Sequence, residues 1–244
     1  LFRSPPSPAA VPLLGWEVVG RRTHDTSAWT EGLLVDDAGR LWESTGLEGR
    51  SEVRELDPAT GAILRSAPVP AARYGEGLAM GPDGMLVQLT WKDGIAHRWD
   101  PETLTPIGSF GYAGEGWGLC SDGTRFVRSD GTPTLTFHDP ATFAVTGSVG
   151  VTLDGAPLAM LNELECVDGA VWANVWQTAT IVRIDPATGV VTGRMDLTGL
   201  LVPDPAASDP GAVLNGIAHL AETGTWLLTG KYWPELIEVR IEGA

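Results

Sequence analysis

Five short segments of this 244-residue chain hold side chains suited to acid/base work inside an aromatic setting. They read Trp29-Thr-Glu31-Gly-Leu, Tyr74-Gly-Glu76-Gly-Leu, Glu115-Gly-Trp117-Gly-Leu, Leu161-Asn162-Glu163-Leu and Leu214-Asn215-Gly-Ile. A carboxylate can take a proton from a nucleophile and return it to a leaving group. Amides and ammonium groups can hold a developing oxyanion, and indole faces can wall off water. A carboxylate next to Gly-Leu has a plainer use as well, accepting backbone N–H groups of the neighbouring structural unit. A second set of unit-specific segments adds Glu43-Ser-Thr-Gly46, Gln88-Leu-Thr-Trp91-Lys92, Arg128-Ser-Asp-Gly-Thr132, Ala173-Asn174-Val-Trp176 and Thr229-Gly-Lys231-Tyr-Trp233. The four histidines share no metal-type spacing. Gly-x-Ser-x-Gly, His-Glu-x-x-His, Walker and dinucleotide fingerprints do not occur, which removes the commonest hydrolase and nucleotide readings.

These segments recur because the chain repeats. Asp57-Pro-Ala-Thr-Gly61 returns as Asp100-Pro-Glu-Thr, Asp139-Pro-Ala-Thr and Asp185-Pro-Ala-Thr-Gly189, with a degenerate copy at Glu242-Gly. The spacings are 43, 39, 46 and 57 residues, the last enlarged by the Pro203–Gly211 loop. In the full Asp-Pro-x-Thr-Gly copies, at Asp57 and Asp185, Asp caps a turn, Pro presets φ and Gly accepts positive φ. Apolar segments leading to an Asp/Gly turn, at 32–39, 77–84, 118–123 and 164–169, supply a second turn in four of the units. The result is four short strands per unit of about forty residues, repeated five times, with almost no helical periodicity.

That pattern predicts an all-β, five-bladed β-propeller of four-stranded antiparallel blades. Residues 15–22 are predicted to form the outer strand of the last blade, closing the ring so that neither end leaves an open sheet edge. The unit-specific segments precede the first strand of each unit, which lines the central channel, so they should meet at one end of the axis. Residues 1–14 are expected to be a disordered, Pro-rich segment, and 15–244 a single catalytic domain.

Composition narrows the field. Ten Trp exceed five Phe and three Tyr combined. Repeat position assigns Trp16, Trp42, Trp99, Trp172 and Trp226 to blade packing and Trp29, Trp91, Trp117 and Trp176 to the channel mouth, with Trp233 open between the two. A net charge of −15 with scattered basic residues argues against a nucleic-acid partner, and no run of apolar residues is long enough for a membrane helix. Cys120 and Cys166 occupy equivalent positions of consecutive units. Stacked sheets lie about 10 Å apart, beyond disulfide reach, so two buried free thiols are expected.

Taken together, the segments from His24-Asp25 to Lys231-Tyr-Trp-Pro234 resemble the plant-type glutaminyl-peptide cyclotransferases, also called glutaminyl cyclases, over nearly the whole chain after residue 15. The resemblance implies a metal-independent acyltransferase without cofactor. It would convert the N-terminal glutamine of peptides or proteins to pyroglutamate, releasing ammonia. It implies Glu76 as the acid/base, Asn162 and Lys231 as polar catalytic contacts, and Trp29, Tyr74, Trp91, Trp117 and Trp176 as the substrate pocket. It further implies export from the cell; a monomer acting on peptides is the expectation.

One departure stands out. Where the family usually has Gln, this chain has Glu31, which is expected to touch the substrate and to disfavour ionisation of Glu76. The usual Phe of that segment is here Trp29. Two other readings stay open on sequence alone: a metal-dependent, lactonase-like hydrolase built on Glu31, Glu76, Asn162 and Asn215, and a peptide-binding propeller without activity.

Overall fold

The computed structural model describes residues 10–201, 205 and 208–242. Twenty-two strands build five four-stranded antiparallel sheets and one small hairpin. The first blade comprises β2 (Thr30–Val35), β3 (Leu41–Thr45), β4 (Glu52–Leu56) and β5 (Ile63–Pro68). The second comprises β6 (Gly75–Met80), β7 (Leu86–Thr90), β8 (Ile95–Asp100) and β9 (Thr105–Gly111). The third comprises β10 (Leu119–Ser121), β11 (Phe126–Arg128), β12 (Thr134–His138) and β13 (Val145–Gly150). After a hairpin that the repeat does not foreshadow, β14 (Thr152–Leu153) with β15 (Ala156–Pro157), the fourth blade comprises β16 (Leu161–Val167), β17 (Ala170–Val175), β18 (Thr180–Ile184) and β19 (Val191–Asp196). The fifth comprises β20 (Leu214–Leu220), β21 (Thr225–Gly230), β22 (Glu235–Ile241) and, on its outer edge, β1 (Trp16–Thr23). The N-terminal strand therefore closes the ring, with Trp16 opposite Ile241 and Thr23 opposite Glu235.

Burial falls off radially. Inner and second strands such as β2 and β3 are buried almost throughout, third strands alternate, and the outer strands β5 and β13 are mostly exposed. Inner strands such as β2, β6 and β20 are buried without alternation over most of their length because a neighbouring blade covers each face. Five apolar clusters fill the five blade interfaces, each drawing on two neighbouring blades: Trp42 and Trp99 belong to the one between the first and second blades, and Trp172, Trp226 and Trp233 to the one between the fourth and fifth. Trp16 packs against that last cluster while its Nε1 donates to Asp196 O. Trp233, left open by the sequence, is a packing residue whose Nε1 donates to Ala212 O.

Two expectations change. Cys120 and Cys166 form a disulfide, with Cα atoms 5.5 Å apart. The 10 Å argument applies to parallel stacked sheets, whereas propeller blades are wedged and their inner strands, here β10 and β16, come closest beside the axis. Most of the Pro-rich segment (1–9) lies outside the described residues. Residues 10–14, assigned to the same disordered stretch, are held in place: Pro12 O accepts from Arg194 N, Leu14 N donates to Arg194 O, and Leu14 is buried in the cluster of the fourth and fifth blades. Apolar Leu14 is what anchors the chain before the first strand.

Candidate active site

The site is built where the inner strands break their own ladders. Register shifts fall between Thr30 and Gly32, Gly75 and Leu78, Leu161 and Leu164, and Leu214 and Ile217. These irregularities contain Glu31, Glu76, Asn162 with Glu163, and Asn215. A bulge bends a strand and re-aims its side chains, so the positions that carry chemistry are those that leave the regular alternation. In the third blade, Glu115 and Trp117 sit just ahead of β10. The ends of the second strands lie at the same end of the ring, and deliver Trp91, Trp176 and Lys231.

Polar groups on the preceding blade hold several of these irregular segments. Ser44 Oγ donates to Glu76 O at 2.5 Å, and Ser129 Oγ donates to Asn162 O at 2.6 Å. Asn174 Oδ1 accepts from Gly216 N at 3.0 Å, and Asn215 Nδ2 donates to Thr30 O at 2.9 Å. The ring of blades thus sets the backbone of the site, and a displaced blade would displace a site residue.

Trp29, Glu31, Tyr74, Glu76, Trp91, Trp117, Asn162, Trp176 and Lys231 line one cavity of about 230 Å³. All nine side chains assigned to the site from sequence are therefore brought together. Tyr74 tilts against Trp91 with ring centroids 5.5 Å apart, Trp117 meets Trp176 edge-on at 5.5 Å, and Trp29 meets Tyr232 edge-on at 4.9 Å. Gly46 and Gly211 let Trp29 seat closely: a Cβ at either would come within 2.8 Å of the indole.

At the floor, Glu31 Oε1 accepts from Lys231 Nζ at 2.7 Å and from the Tyr74 hydroxyl at 3.0 Å, while Glu31 Oε2 accepts from Asn215 Nδ2 at 3.1 Å. Glu76 lies beside this cluster and is 5% exposed. Burial first, then the negative charge of Glu31, hold the Glu76 carboxyl well above the ordinary carboxylate range, with Lys231 opposing. Burial and the Glu31 charge also push the Tyr74 phenol up, keeping it a neutral donor. Asn162 is 3% exposed, and its buried Oδ1 has no hydrogen-bond partner among the described residues. A buried amide oxygen without a partner is costly unless a ligand completes it.

Glu163 does something else. Its Oε1 accepts from Leu33 N at 3.3 Å and its Oε2 from Ile217 N at 2.9 Å, so it ties the inner strands of three blades together. For this residue the plainer, architectural use is the correct one. Glu115, by contrast, has a site role that the sequence did not separate from its neighbours. Its Oε2 accepts from Trp91 Nε1 at 2.8 Å and Trp117 Nε1 at 3.0 Å, one carboxylate holding two walls of the cavity. The Glu115-Gly-Trp117 spacing was the available signal; the partnership with Trp91 needed the fold. Among the described residues, no group of three or more His, Cys, Asp or Glu could hold a metal ion.

The chain is similar to known proteins over nearly its whole length. The sequence model of the glutamine cyclotransferase family matches residues 2–241. Glutaminyl-peptide cyclotransferase of Arabidopsis thaliana is 38% identical over 233 residues, spanning 93% of this chain and 72% of that protein. The crystal structure of Myxococcus xanthus glutaminyl cyclase superposes with a TM-score of 0.86 at 38% identity, covering 96% of this chain and 98% of the other.

Proposed function

The chain belongs to the glutamine cyclotransferase family and is a glutaminyl-peptide cyclotransferase, and we propose that it closes N-terminal glutamine to pyroglutamate without a metal, using Glu76 as its proton carrier. The observation that supports this reading most directly is the placement of one buried carboxyl, Glu76, in a cavity walled by five aromatic side chains, beside the Glu31–Lys231 pair and Asn162.

The reaction needs two proton movements on one small substrate. The neutral α-amine attacks the γ-carboxamide carbon, forming the ring C–N bond. Glu76 takes the proton that the new ring nitrogen must lose and passes it to the amide nitrogen, so that the second C–N bond breaks with ammonia as the leaving group. No proton is gained or lost overall. Asn162 and the remaining N–H groups of Lys231 are the donors for the oxygen as negative charge develops on it. The rings of Trp29, Tyr74, Trp91, Trp117 and Trp176 hold the glutamine side chain folded toward its own amine and shed water.

Glu31 tunes this carrier. Burial and, after it, the Glu31 charge keep Glu76 protonated, so the ionised form that accepts the amine proton grows as pH rises. Export to an oxidising compartment is part of the proposal and is supported by the Cys120–Cys166 disulfide. The test is ammonia release from a Gln-initiated dipeptide by wild type and Glu76→Ala. Turnover by wild type and its loss in the variant are expected; equal turnover would remove Glu76 from its role, and no turnover by wild type would overturn the reading.

A further inference from the structure

A second cavity, of about 310 Å³, adjoins the catalytic one and shares the wall formed by Trp29. Its other lining residues include Ser27, Thr45, Leu47, Glu52 and two arginines, Arg50 and Arg54. Arg54 is paired with carboxylates: its Nε lies 2.8 Å from Glu52, and its Nη1 lies 3.0 Å from Asp25 and 3.4 Å from Glu43. Glu52, the carboxylate in the lining, is thereby spoken for. Arg50 is exposed, and among the described residues its guanidinium has no ion-pair or hydrogen-bond partner.

The segment that carries Arg50 is built rather than loose. Gly46 N donates to Trp29 O at 2.7 Å, Gly49 N to Ala72 O at 3.0 Å, and Arg50 N to Leu47 O at 3.0 Å. Ser51 Oγ donates to Leu47 O at 2.7 Å and accepts from Gly75 N at 2.9 Å, directly beside Glu76. Leu47 takes a φ of 82°, a conformation that costs a branched residue energy and that functional loops commonly retain. Arg50 is thus presented from a turn pinned both to Trp29 and to the strand that carries Glu76.

We infer that this cavity is the subsite for the residue following glutamine, and that Arg50 selects a carboxylate there. The inference rests on the cyclotransferase reading, because a glutamine seated between the aromatic rings must send the rest of its peptide out over the cavity wall, and Trp29 is the wall the two cavities share. The carboxylate can come from an aspartate or glutamate side chain, or from the free C-terminus of a dipeptide. Arg50 pairs with it bidentately. Net negative charge on the molecule as a whole does not oppose this, since exposed charges beyond about 10 Å are largely screened at ordinary ionic strength.

The experiment compares kcat/KM for four peptides: Gln-Glu-amide, its neutral isostere Gln-Gln-amide, Gln-Ala with a free C-terminus, and Gln-Ala-amide. Wild type is expected to prefer Gln-Glu-amide over Gln-Gln-amide by about three- to tenfold, chiefly through KM. The Gln-Ala pair shows whether a terminal carboxylate also serves. In Arg50→Ala the preference ratio collapses toward one, and Arg50→Lys restores part of it. Because each ratio is taken on one variant, it does not depend on how much of that variant is folded. A ratio near one in wild type, or one that survives Arg50→Ala, overturns the inference. Were wild type to turn over none of the four, the cyclotransferase reading would fall instead, and calorimetric binding of the same peptides would still decide the subsite: tighter binding of Gln-Glu-amide that vanishes in Arg50→Ala sustains it, and equal binding ends it.

Discussion

Lys231 Nζ and Glu31 Oε1 lie 2.7 Å apart in a pair that is 5% and 1% exposed, so the one buried lysine of the site is committed to a carboxylate. The family resemblance implies a neutral glutamine at this position. The consequence is a site with two carboxyls and one cation where one carboxyl would suffice.

Glu31→Gln is expected to raise kcat/KM several-fold across pH 6–9. Without the Glu31 charge, Glu76 returns toward the ordinary carboxylate range and ionises, and Lys231 regains its full charge for the oxyanion. The same change takes the Glu31 carboxylate from Lys231 while the newly ionised Glu76, whose charge acts on the same ammonium, replaces it in part, so the melting temperature should fall by less than the roughly 3–5 kcal/mol cost of an unpaired buried ammonium would bring. An unchanged or lower rate over that range would sink the account of Glu31.

In the wild type, kcat/KM should climb with pH through neutrality, because Glu76 holds its proton well above the usual carboxylate range. Glu31→Gln should shift that rise toward acid. Superimposable profiles would show that the two carboxyls do not communicate.

Glu115→Ala frees the indoles of Trp91 and Trp117 together. With two charge-assisted hydrogen bonds lost at a half-buried position, KM is expected to rise by about tenfold while kcat changes little. Glu115→Gln, whose amide oxygen can still accept, should recover most of the loss. A defect in kcat alone would place Glu115 in the chemistry rather than in the walls.

The Cys120–Cys166 bridge closes a 46-residue separation. Replacing both cysteines by serine should cost about 2–4 kcal/mol and lower the melting temperature by roughly 5–15 °C. Activity at 25 °C should persist, since neither cysteine lines the catalytic cavity. Lost activity at an unchanged melting temperature would contradict this.

Glu163 is wholly buried, and burial together with neighbouring Glu165 holds its carboxyl well above the ordinary range, against the pull of two backbone N–H donors. A carboxyl raised on folding contributes stability that is intact below the unfolded value, near 4.3, and lost as pH climbs toward the folded one. Glu163→Gln removes that loss, so its stability relative to wild type should improve steadily from pH 5 to pH 8 in chemical denaturation. A difference that is flat with pH would mean that Glu163 is ionised in the native state.

Much of this protein is legible in its residues one after another. Turn chemistry at Asp57, Asp100, Asp139 and Asp185 and the spacing between the copies specify five four-stranded units, because turns and strand alternation are local. The same repeats, by differing at their starts, point to Glu31, Glu76 and Asn162 and sort the site tryptophans from the packing ones. What the chain order cannot express is distance across the ring. Whether Glu163 ties strands or serves the reaction, whether Glu115 reaches Trp91, and whether Cys120 reaches Cys166 all depend on how closely wedge-shaped blades converge at the axis. The bulges at Glu31, Glu76, Asn162 and Asn215 belong to that level too, since a bulge persists only where a neighbouring blade supplies the Ser44, Ser129, Asn174 or Asn215 that holds it. Local pattern determined the blades and nominated the chemistry; radial packing decided which nominated groups line the cavity and which hold the ring shut.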